Sequence, residues 1–161
     1  MLLEIADRLQ DSALINWLTS TGWMAALIAI LHYYSMFVLV GSMAIVDLGV
    51  LGVIGHSDTA VSRARRTFPW VWAALTVNII TGFIMFAGDA TAYVPTISFN
   101  VKILIVLTAI ALTIGVRFKL PTSDETAAMP SAARLLALIS LIFWVVAILM
   151  GVEVPALSGV G

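Results

Sequence analysis

The sequence predicts an all-α integral membrane protein: a four-helix bundle with a long first transmembrane helix and a short N-terminal interfacial helix. Three observations carry that expectation. The 161 residues are 61% hydrophobic and 11% charged, against about 45–50% and about 25% in soluble domains. Mean hydropathy is +1.09. The apolar residues also gather into four runs, each reaching the roughly 20 residues needed to cross a bilayer.

Residues 1–12 carry Glu4, Asp7, Arg8 and Asp11 and lack the basic-then-apolar order of a cleaved signal peptide. They are expected to form an amphipathic segment at the membrane surface, with Trp17 and Trp23 as interfacial anchors. The first span, residues 22–54, would be about 50 Å long at the helical rise per residue. No turn signal divides it, so it must tilt, kink near Gly41 or project beyond the lipid.

Three further spans are expected at residues 68–87, 99–118 and 132–152. Arg63, Arg65 and Arg66 precede the second span, and Arg117, Lys119 and Arg134 bracket the loop between the third and fourth. The intervening loop, residues 88–98, has no Lys or Arg. The positive-inside rule therefore places both basic loops in the cytoplasm and both termini on the other side, as in a bacterial inner membrane. The polar loop at 121–131, with Asp124 and Glu125, reads as a solvated connection.

Composition excludes several functions. A net charge of −1 supplies no basic field for nucleic acid. Without cysteine there is no disulfide, thiolate-bound metal, cysteine-ligated iron–sulfur cluster or covalently attached haem c. There is no phosphate-binding glycine loop, nucleophile elbow, His-Glu-x-x-His or acidic metal cluster, so a soluble-type hydrolase or kinase is excluded.

His32 is the one histidine inside an apolar run; His56 falls in a polar Gly55-His56-Ser57-Asp58 turn and is expected to be solvated. An ionisable group within a spanning helix is costly and usually points to a partner, a cofactor or water. Counted from the predicted outer helix ends, His32 is about 15 Å deep. Asn78, Thr108 and Trp144 come out near that depth, forming either a site or ordinary interhelical hydrogen bonding. Met36 and Met43 share a helical face with His32, as a His/Met set for haem or Cu(I) or as packing filler.

Lys102, near the outer end of the third span, either snorkels to the interface or aims its charge into the bundle. Asp47, near the inner end of the first span, is expected to pair with Arg65, Arg66 or Arg117. Gly41, Ala44, Gly49, Gly52 and Gly55 form a small-residue stripe suited to close helix contact.

Several of these residues also form a pattern. A histidine in a long first helix, an Arg65-Arg66 pair before a helix ending in Thr81-Gly82-Phe83, and Phe99-x-x-Lys102 opening the third resemble the small membrane proteins of the HemJ and CopD type. The run Asp47-Leu48-Gly49-Val50-Leu51-Gly52 resembles the Asp-Leu-x-x-Leu-Gly ending of a related four-helix family. Together these likenesses cover residues 31–118. The HemJ resemblance implies haem b binding and protoporphyrinogen oxidation, with the roles falling on His32 and Lys102. The CopD resemblance implies copper handling. The further histidines and the Pro-Arg of the HemJ group are missing, as are multiple His and Met copper sites.

The leading expectation is a haem b protein of electron transfer or haem metabolism, with His32 as axial metal ligand. Lys102, Met36, Asn78 and Trp144 complete the candidate cofactor-binding set. The alternatives are a non-catalytic subunit of a larger membrane complex and a copper-handling protein. Expected partners are the lipid bilayer and either further copies of the chain or a larger complex, with no nucleic acid.

Overall fold

The computed structural model describes residues 1–54, 60–121 and 129–158, and every element among them is an α-helix. Gly55, His56, Asp124 and Glu125 lie outside the described residues. Two short helices, α1 (Leu2–Gln10) and α2 (Ala13–Ser20), precede the long α3 (Gly22–Leu51) and α4 (Ala60–Gly88). A single turn, α5 (Ala90–Tyr93), then leads to α6 (Ile97–Lys119) and α7 (Ser131–Ser158). Four of these, α3, α4, α6 and α7 over Ser131–Gly151, are long and apolar enough to cross a membrane.

The four long helices pack as a bundle because their inward residues recur at three- and four-residue spacing. Leu39, Met43, Val46 and Val50 on α3 are buried against Ala64, Phe68, Val71 and Leu75 on α4. Ala109, Thr113 and Val116 on α6 meet Ala133, Ala137, Ser140, Trp144 and Ala147 on α7. That near-3.5-residue repeat is the seam of a left-handed bundle. α3 is central, packing on both α4 and α7, while α6 packs on α7. Side chains join α4 to α6 at two levels. Phe86 stacks on Phe99 with ring centroids 5.0 Å apart, and the Arg117 guanidinium lies 5.8 Å from the Phe68 ring.

Helix ends differ from the sequence expectation for identifiable reasons. α3 is continuous through Gly41 and stops at Gly52, whose φ of 80° is left-handed. The Gly52 and Val53 amides donate to the Gly49 and Leu48 carbonyls at 3.1 and 2.9 Å, the pairing of a Schellman cap. Arg63 then donates to the Ile54 carbonyl at 2.8 Å, a cation at the negative end of the helix dipole. This arrangement corrects the expected glycine stripe. Gly52 is a cap, a Cβ on Gly49 would fall 3.3 Å from an Arg63 guanidinium nitrogen, and one on Gly41 would meet nothing within 4 Å.

α4 begins at Ala60 rather than 68, since its arginines occupy an amphipathic first stretch instead of ending the helix. The expected surface segment is two helices. α1 is fixed to α5 by Gln10, whose side-chain oxygen accepts from the Thr91 hydroxyl and amide at 2.9 and 3.2 Å. Trp17 and Trp23 are exposed, as anchors would be.

Candidate functional site

In the half of the bundle that holds the start of α3 and the end of α4 the inward seams turn polar, and this change makes the site. Continuing the α3 seam back from Leu39 reaches Ser35 and His32; continuing α4 forward from Leu75 reaches Asn78, Thr81 and Gly82. These residues meet. The Asn78 side-chain amide donates to the His32 carbonyl at 2.9 Å and to Ser35 Oγ at 3.2 Å. Ser35 Oγ donates to the same carbonyl at 2.9 Å.

His32 Nδ1 lies 3.2 Å from the Asn78 carbonyl and 3.1 Å from Thr81 Oγ1. The carbonyl can only accept. The single Thr81 hydroxyl proton is directed at its own helix, toward the Val77 carbonyl at 2.7 Å. Thr81 Oγ1 therefore accepts as well, and the proton sits on Nδ1. In the neutral ring the Nε2 lone pair is left over, and no hydrogen-bond partner meets it among the described residues. The imidazole rests on Gly82, where a Cβ would fall 2.9 Å from Cε1. Tyr33 meets the ring edge-on with centroids 5.9 Å apart.

Lys102 is half-buried and within electrostatic range of the His32 imidazole. The register explains why. Thr113 of α6 lies beside Met43 of α3, and the same offset sets Lys102 level with His32. Its ammonium makes no hydrogen bond or ion pair among the described residues.

The other candidates fall elsewhere. Asn78 shares the His32 level but uses its side chain as an interhelical staple. Met36 turns to α7, its Sδ 3.8 Å from the position of a Cβ on Gly151, and Met43 is wholly enclosed. Trp144 is buried in the core and donates from Nε1 to Thr113 Oγ1 at 3.1 Å. It lies at the Met43 level, about 16 Å below His32 at the helical rise. Thr108 donates to its own helix at the Leu104 carbonyl, 2.8 Å away. The expected polar layer thus reduces to His32 and Asn78; Lys102, expected nearer the end of its helix, comes level with them, and Ser35, Thr81 and Gly82, which were given no role at the histidine, join them. Their signal was the seam: extrapolating its repeat outward selects them.

Asp47 also departs from expectation. It is fully buried beside Ser140 of α7 rather than among the arginines. Among the described residues neither carboxylate oxygen nor Ser140 Oγ completes a hydrogen bond. Arg117 at that level is instead drawn over the Phe68 and Trp72 rings.

At the α5 end of the bundle Phe86, Tyr93 and Phe99 form an aromatic cluster. Burial, then Asp89 and Tyr33, push the Tyr93 phenol above its ordinary range, so it stays neutral. A neighbouring crevice of about 380 Å³, lined by Thr19, Ile28, Met85 and Tyr93 among others, does not include His32. No group of three or more His, Cys, Asp or Glu side chains converges among the described residues.

The chain belongs to a family of unknown function, DUF6644, which it matches over residues 6–154. Comparison with curated proteins and with solved structures gives no match.

Proposed function

We propose that the protein binds haem b within the membrane, His32 Nε2 serving as axial ligand, in electron transfer or haem metabolism. The supporting observation is the fixed tautomer: Nδ1–H is held by the Asn78 carbonyl and Thr81 Oγ1, leaving Nε2 for a ligand. Metal-ligating histidines are typically oriented by such a donation from the other ring nitrogen, which also raises ligand basicity. Lys102, near His32 and without a counter-ion among the described residues, suits pairing with a propionate. The donor set therefore fits the group.

When bound, haem supplies a one-electron iron couple whose potential follows axial ligation, polarity and exposure. The protein's own residues position it. Asn78 and Ser35 lock α3 to α4, Gly82 admits the imidazole, and Thr81 holds its orientation. His32 is half-buried and the crevices described do not enclose it. This favours a macrocycle bound at the flank of the bundle, or shared with a second copy or a larger complex. With the basic loops in the cytoplasm of a bacterial inner membrane, His32 lies in the outer leaflet half.

The test is the absorption spectrum of oxidised and dithionite-reduced protein purified after haem-replete expression, beside His32→Ala. A Soret band and α-band lost in the variant are expected. A featureless spectrum with no bound iron in the wild type overturns the reading.

A further inference from the structure

The inner end of the bundle carries a second arrangement, independent of His32. Between α4 and α6 lies a crevice of about 330 Å³, walled by Arg65, Phe68 and Trp72 on one side and Arg117 and Leu120 on the other. The Arg117 guanidinium stands over two of these rings, 5.8 Å from Phe68 and 5.9 Å from Trp72. Stacking of this kind holds a guanidinium in place while leaving its N–H edge available. No hydrogen bond or ion pair uses that edge among the described residues.

The Trp72 indole N–H is buried and has no acceptor among the described residues. A buried donor left unpaired costs about 1–3 kcal/mol, so a site that supplies an acceptor is favoured. Among the described residues every charged side chain lining the crevice is a cation. Asp47, the carboxylate at this level, is enclosed on the α7 side and is not part of the lining.

We infer that this crevice binds the phosphate of an anionic phospholipid headgroup. The Arg117 guanidinium edge and the Trp72 indole N–H offer donors, and Arg65, which donates to the Pro121 carbonyl at 3.2 Å, adds a second positive charge. No carboxylate lines the crevice among the described residues, so this is the recognition chemistry of a phosphate monoanion. The setting selects lipid over a soluble phosphate. The walls belong to two membrane-crossing helices, and the flanking Trp70 and Phe118 are exposed to 66% and 81%. Those side chains offer acyl chains an apolar surface beside the headgroup. Basic residues at this end of the bundle also match the anionic surface of a cytoplasmic leaflet.

The experiment is native mass spectrometry of detergent-purified protein titrated with phosphatidylglycerol, phosphatidylcholine or inorganic phosphate. Wild type, Arg117→Gln and Trp72→Phe are compared. Phosphatidylglycerol should bind saturably and about tenfold more tightly than phosphatidylcholine, the factor of one charge-assisted hydrogen bond. Arg117→Gln should lose most of that preference. Trp72→Phe keeps the ring but not the N–H, and should lose part of it. Equal binding of the two lipids, or an unchanged preference in both variants, overturns the inference. So does inorganic phosphate competing as well as the lipid, which would make this a soluble-anion site. The readout is lipid mass, so it is independent of any haem spectrum.

Discussion

With Nδ1 committed to α4, the position of the His32 ring depends on what lies beneath it, and that is Gly82. Gly82→Ala places a methyl 2.9 Å from His32 Cε1, forcing the imidazole off its acceptors. Overpacking of this kind costs about 1–3 kcal/mol. The expected result is a lower unfolding midpoint in detergent together with loss of ligand binding at His32. Thr81→Val removes one of two acceptors and should cost about 1 kcal/mol while retaining weakened binding. Asp47 provides the opposite case. A buried ion pair broken by removing one partner loses about 3–5 kcal/mol, but Asp47 has no cation beside it among the described residues. Asp47→Asn is therefore expected to shift stability by less than about 1 kcal/mol; a larger loss in chemical unfolding would show an ion pair after all. His32 and Lys102 were legible in the sequence because isolated ionisable groups in apolar runs stand out whatever the packing. Trp144 and Thr108 were misplaced because depth was counted from helix ends, and those ends were displaced. α7 runs on to Ser158, and α6 begins level with residue 27 of α3 rather than with its first residue.

At the level of helices, existence was readable and termination was not. Four apolar runs identify four spans, since no other use of 20 apolar residues satisfies the backbone in lipid. Where each helix stops depends on a few hydrogen bonds that hydropathy does not encode. Gly52 looks like Gly41 in the sequence, yet among the described residues it alone has a left-handed backbone. Its neighbours Gly49 and Arg63 look like a packing residue and a loop charge, yet together they close the end of α3. The two glycines should therefore respond in opposite directions. Gly52→Ala must adopt φ near +80° and is expected to cost about 1–2 kcal/mol. Gly41→Ala adds a methyl into open space within a helix interior and is expected to stabilise by about 0.5–1 kcal/mol. Thermal unfolding of the two variants side by side, with opposite shifts in midpoint, checks both.

Across the whole molecule the two proposed sites lie at opposite ends of one bundle. Arg117 is level with Asp47, fifteen residues along α3 from His32, so about 22 Å separates the two levels. A headgroup in the arginine crevice therefore cannot touch a ligand on His32, and the sites should be separable by mutation. What ties them to a membrane is orientation, which the basic residues predict: Arg63, Arg65, Arg66, Arg117, Lys119 and Arg134 share one end of the bundle, and the loop between α4 and α6 carries none. Because the chain has no cysteine, single cysteines report orientation without background. Asp11 and Ser131 are both exposed and lie at opposite ends. In intact cells opened only at the outer membrane, Asp11→Cys should react with an impermeant maleimide, and Ser131→Cys should react only after the inner membrane is permeabilised. The reverse pattern would put His32 in the cytoplasmic half and the arginine crevice in the outer leaflet. An anionic cytoplasmic surface would then no longer supply the proposed lipid, while the His32 geometry and its spectral test would stand unchanged.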